Sequence, residues 1–227
     1  MSDNLYSNYK YNRPKLRRRG ALFLVTAVVL GVAIVVVCIN MVAGKAQPQD
    51  VGIQLPALEF SAIGTRGLPS KSKALELARE IRERGGAGYV DFDGEWFVLE
   101  EIGVGDLKFH AAEIEIDVRP EHRETFDAIV KSFAQNTLAL NSLLPKSARE
   151  AAAEALALYN ELLAQITELD KLQGTSPNEM YLKVSIAANK QLLALFMIRG
   201  SENISSKIKH SICAVNFAYL ELLNSFV

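Results

Sequence analysis

Apolar positions along this chain follow three rhythms, one after another. The first is an uninterrupted run, residues 21–43, ALFLVTAVVLGVAIVVVCINMVA, bounded by Ala21 and Ala43 and free of charged side chains. As a helix rising about 1.5 Å per residue it is roughly 34 Å long, enough to cross a hydrocarbon core of about 30 Å, so it is predicted to be a transmembrane anchor. Signal-peptide cores are shorter, about 7 to 15 residues, and end in a small-x-small site, whereas this run leads into Met41, Val42 and Ala43.

The second rhythm, of period two, begins at Leu58. Leu58, Phe60 and Ala62 alternate with Glu59, Ser61 and Ile63, which predicts a strand over residues 58–63 that Gly64, Gly67 and Pro69 break. Ala74, Leu77, Ala78 and Ile81 then fall on one helical stripe, with Ser70 or Ser72 as cap and Gly85 and Gly86 as the stop. AGYVDF and EWFVLEEI flank an Asp93-Gly94 pair, the signature of a β-hairpin. Two strands joined through a helix are expected to run parallel in one sheet. Alternation returns over residues 111–118, where Ile114, Ile116 and Val118 read as a half-buried strand.

The third rhythm, of period 3.6, occupies the remainder. Pro120 opens a helix carrying Phe126, Ile129, Val130, Phe133 and Leu140, and a second spans residues 146–172. Ser176, Pro177 and Glu179 form a capping box for a third, and Ser201 can cap a fourth that carries Ile204, Ile208, Ile212, Val215, Tyr219 and Leu222. Short connections make these antiparallel neighbours in a bundle, with residues 192–198 (LLALFMI) at its buried centre. The fold class is α+β. The organisation is a tail over 1–19, a span over 20–43, a linker over 44–56, an α+β domain over 57–119 and a helical domain over 120–227.

Charge adds direction. The chain is nearly neutral at −1, but residues 1–20 carry +5 and residues 45–227 carry −6. Arg17, Arg18 and Arg19 stand against the apolar run, so the tail is expected in the cytoplasm and the C-terminal part outside the cell membrane. Six cations beside a span also suit anionic headgroups of the lipid bilayer, while an acidic outer part argues against nucleic acid as a partner. Cys38 in the run and Cys213 near the end fall on different sides of this arrangement, which leaves neither a disulfide nor a metal site for them.

Residues 58–102 resemble the front half of a SPOR domain, the sporulation-related repeat of bacterial envelope proteins. Phe60 ends the strand, Ala74 to Ile81 supply the A-x-x-L-A-x-x-I type of helix, a Gly follows, and Tyr89 to Phe92 and Trp96 to Leu99 form the two further strands. The resemblance implies an extracytoplasmic module that binds peptidoglycan glycan strands lacking stem peptides, in cell division or sporulation. Beyond Ile102 the sequence departs from the family, which has a second helix and then a fourth strand.

No catalytic constellation is legible. His110, His122 and His210 are far apart, and His122, in the first turn of a helix, reads as a solvated surface residue. No glycine-rich loop opens a helix, and no cofactor motif is present. Aromatic residues in strands are ordinarily core. Trp96, with Phe60 and Tyr89, is nevertheless the candidate surface on which a sugar ring could stack. The expected function is that of a non-catalytic bitopic envelope protein binding peptidoglycan glycan. The alternative is a membrane-anchored scaffold whose C-terminal helices contact another envelope protein and which binds no glycan.

Overall fold

The computed structural model describes residues 50–173, 178–200 and 202–227. The tail, the span with Ala21 and Ala43, the basic triplet Arg17, Arg18 and Arg19, and the caps Ser176, Pro177 and Ser201 lie outside them. Among the described residues no helix is long and apolar enough to cross a membrane.

Strands lead and helices follow. β1 (Val51–Leu55), β2 (Leu58–Leu68), α1 (Lys71–Glu83), β3 (Tyr89–Phe92), β4 (Trp96–Ile102), β5 (Leu107–Ala111) and β6 (Ile114–Val118) come first. A 3-10 turn (Pro120–His122) leads into α2 (Arg123–Leu143), α3 (Ala148–Gln173), α4 (Glu179–Phe196) and α5 (Ile204–Asn224). The fold is therefore α+β, with antiparallel strand pairs followed by helices.

β3, β4, β2 and β5 form one sheet in that order. β4 runs antiparallel to both β3 and β2, so the two strands joined through α1 are parallel, as expected, but with β4 inserted between them. β2 outlasts its expected end because Gly64 and Gly67 sit at bulges instead of terminating it. At Gly64 the backbone runs so close to β4 that a Cβ would strike the Val98 carbonyl oxygen. α1 starts where expected, with Ser70 Oγ accepting the Lys73 N–H at 3.3 Å, and Gly85 at φ 86° ends it.

Two strands depart from the sequence reading. Part of the expected linker is β1, whose Val51, Ile53 and Leu55 oppose Val118, Ile116 and Ile114 of β6 in a separate two-stranded ribbon. β5 is an additional strand that ends where the strand expected over residues 111–118 begins, and its pairing with Leu58 to Ala62 of β2 completes the four-stranded sheet without a second helix.

The helices pack in sequence, and α5 returns against α2. Contacts fix the directions: Ser132 reaches Gln165, Tyr159 stacks near Phe196, and Lys183 and Lys190 of α4 meet Ser225 and Glu221 of α5. Neighbouring helices are thus antiparallel. α5 is buried on most sides, because it belongs both to this bundle and to the sheet. One hydrophobic core runs from the sheet through the bundle, and a smaller one lies between α1 and the sheet's other face. The expected boundary at residue 119 marks a change from strands to helices and not a break in packing.

His122 is not solvated: at 5 % exposure it is buried, with a ring nitrogen hydrogen-bonded to the Tyr181 hydroxyl. The 3-10 turn at Pro120 places it between α2 and α4 and not on an outer face. Inside the bundle, Asn136 Nδ2 donates to Gln191 Oε1 at 3.0 Å, while Gln191 Nε2 has no partner. Leaving a buried polar group unpaired costs about 1–3 kcal/mol, more than a satisfied pair gains. Gln191→Leu removes one unpaired amide while stranding Asn136, so it is expected to change stability little. Asn136→Leu, which leaves both ends of the Gln191 amide unpaired, should destabilise by about 1–3 kcal/mol, and adding Gln191→Leu should recover most of the loss. Chemical unfolding followed by circular dichroism checks both values.

Candidate functional site

The sheet's aromatics divide between its two faces, because side chains alternate along each strand. Trp96 and Val98 of β4 and Val90 of β3 point to α1, where Ala74, Ala78 and Ile81 pack on them. Phe97 and Leu99 point the other way.

That second face is covered by α5. Phe217 sits among four sheet rings, with centroids 5.5 Å from Phe60, 5.1 Å from Tyr89, 5.5 Å from Phe97 and 4.9 Å from Phe109. Phe60 and Phe109, opposed in the β2–β5 register, also stack on each other at 5.1 Å. Phe60 and Tyr89 are therefore brought together under one residue of the last helix, and Trp96 is on the opposite face from both.

Polar contacts along α5 close the same seam. Ser206 Oγ donates to the Gly86 carbonyl at 2.7 Å, and His210 Nδ1 lies 3.1 Å from the Ala87 carbonyl. Lys209 pairs with Glu101 of β4 at 2.9 Å. Burial pushes the Tyr89 hydroxyl well above its usual range, and the neighbouring Asp91 carboxylate, 3.0 Å away, adds to this. Burial likewise pushes the Cys213 thiol up to about 12, which keeps it a protonated, unreactive side chain.

Trp96 is half-buried, as Phe60 and Tyr89 are, and sits beside the sheet's exposed aromatic at the hairpin. Its ring lies 4.9 Å from Phe92, its register partner across the hairpin, which is 54 % exposed. Lys71 Nζ is 5.8 Å from the Trp96 ring, and Arg66 pairs with Asp93 at 2.6 Å beside the turn. This corner offers a stacking surface with one cation, Lys71; Arg66 lies 5.7 Å from the Phe97 and Phe109 rings, on the sheet's other face. Among the described residues, no group of three or more His, Cys, Asp or Glu side chains could hold a metal ion.

A second exposed apolar surface lies on the bundle. Residues 192–198 are not wholly interior: Ala194, Leu195 and Ile198 are buried, whereas Leu193 is 66 % exposed and Phe196 and Met197 are also exposed. Leu182 and Ile186 extend this surface along α4, and Leu156 of α3 shares a cavity with Phe196 and Arg199 at its end. Continuous hydrophobicity concealed the difference, because it carries no period to mark an outer side. Phe217 and His210 escaped notice for the converse reason. The sheet-facing stripe Ser206, His210, Cys213, Phe217 is half polar, so the hydrophobic pattern of α5 points to its other sides.

No protein-family model, curated protein or solved structure matches this chain.

His210 supplies a pH test of the α5 seam. Burial holds its imidazole below the ordinary 6.5, so the folded chain binds fewer protons there than the unfolded chain. Stability from this group is undiminished above about pH 6.5, declines as pH falls below that value, and levels off below the depressed folded pKa. Unfolding midpoints taken from pH 8 to pH 5 should show this slope, and His210→Gln should flatten it.

Proposed function

We propose that this chain is a membrane-anchored, non-catalytic scaffold of the cell envelope. A short basic tail lies in the cytoplasm, residues 20–43 cross the membrane, and the acidic outer part presents its helical bundle to protein partners. The observation that carries this reading is the covering of the sheet's aromatic face by α5, with α1 closing the β3–β4 half of the other face. The aromatic face that Phe217 occupies is closed to a glycan, while exposed apolar residues gather on α4. Apolar surface gathered in one place is the usual mark of a protein contact.

The Trp96–Phe92 corner favours a second reading, in which the SPOR-like unit holds peptidoglycan glycan at the sheet's end by stacking, flanked by Lys71. Incubation of the full-length chain with intact and with amidase-treated sacculi separates the two. The scaffold reading predicts that neither retains the protein. Retention on amidase-treated sacculi that Trp96→Ala removes, with the fold intact by circular dichroism, would replace it with the glycan reading.

A further inference from the structure

We propose that α4 pairs with the α4 of a second copy, antiparallel and about a two-fold axis at Asn189; this rests on the scaffold reading and names its partner. The outer side of α4 presents Leu182, Ile186, Asn189, Leu193 and Phe196, all exposed. Their spacing alternates four and three, the repeat that keeps a helix seam facing another helix. The inner side of the same helix is already filled, with Met180, Tyr181, Val184, Ala188 and Leu195 buried in the bundle. The outer stripe therefore leaves α4 with apolar surface open to a second cover.

The seam is self-complementary. With two copies antiparallel about Asn189, Leu182 comes opposite Phe196, Ile186 opposite Leu193, and Asn189 opposite itself. A single polar residue at the middle of an apolar seam fixes register and orientation, because any slip buries it against a side chain that cannot pair with it.

Charge selects the antiparallel sense. Glu179 stands at one end of the seam and Arg199 at the other, so an antiparallel pair sets acid against base at both ends, and each helix N-terminus beside a C-terminus. A parallel pair would set like against like. Of the lysines bordering the seam, Lys190 pairs with Glu221 of its own chain, and Lys183 shares the exposed Glu179 carboxylate, at 3.0 Å. A helix the length of α4 spans about 27 Å. A single pair of that length belongs to the small, transient interfaces, below about 1,200 Å². Tethering by a common membrane raises the effective concentration such a contact needs.

Site-directed cross-linking of the full-length chain in membranes tests this pairing. A Cys38→Ser background leaves only Cys213, which is fully buried. Two differently tagged chains, one with Leu182→Cys and the other with Phe196→Cys, should form a disulfide with each other and not with themselves, and Asn189→Cys should link to itself. Ile186→Glu with Leu193→Glu, both at exposed positions, should abolish these links while circular dichroism stays native. Overturning results are the absence of any interchain link, self-linking of the Leu182→Cys chain, or a link from the Asn189→Cys chain to a different protein. Any of these would leave the scaffold reading standing, since that reading fails only by retention on sacculi.

Discussion

The contact between α5 and the four-stranded sheet is the constraint on which the rest depends. Phe217 is 5 % exposed and touches a ring from each of the four strands, through Phe60, Tyr89, Phe97 and Phe109. Truncating a buried phenylalanine costs about 3–5 kcal/mol, whereas a partly exposed ion pair such as Lys209 with Glu101 contributes at most about 1 kcal/mol. Packing therefore dominates, and the polar contacts at Gly86 and Ala87 set the height and rotation at which α5 lies. Tyr219 adds a fixed point further along, donating to the Pro56 carbonyl at 2.7 Å and so holding the connection between β1 and β2.

Because α5 is also a bundle helix, its position couples two layers that look separable along the chain. Its opposite side packs on α2 and α4, with Ser211 Oγ donating to the Ala194 carbonyl at 2.6 Å. One contact thus buries the sheet's aromatic face and gives the bundle its floor. The chemistry left outward follows from this closure. The sheet's aromatic interior is spent on folding, and among the described residues exposed apolar side chains stand at the β3–β4 hairpin and along the outer side of α4.

Much of this is written in local pattern. The Asp93-Gly94 hairpin, the capped helix α1 and the parallel sense of β2 and β3 follow from turn chemistry and period, which act over a few residues. β1 and β5 are not legible, because each is a short strand that gains its identity from a partner distant in sequence: β6 for one, β2 for the other. His122 is misplaced for a similar reason, since Tyr181, which buries it, arrives from α4. All three candidate residues are half-buried, and Phe60 and Tyr89 are claimed by Phe217 from across the chain. A half-polar stripe on α5 gives no warning of that contact.

Hydrogen exchange read peptide by peptide on the full-length chain tests the coupling most directly. If α5 closes the sheet, amides of β2, β4 and α5 should open as one unit and share one protection level, and Phe217→Ala should lower all three together. Fast exchange in α5 beside an unchanged, slowly exchanging sheet would contradict it.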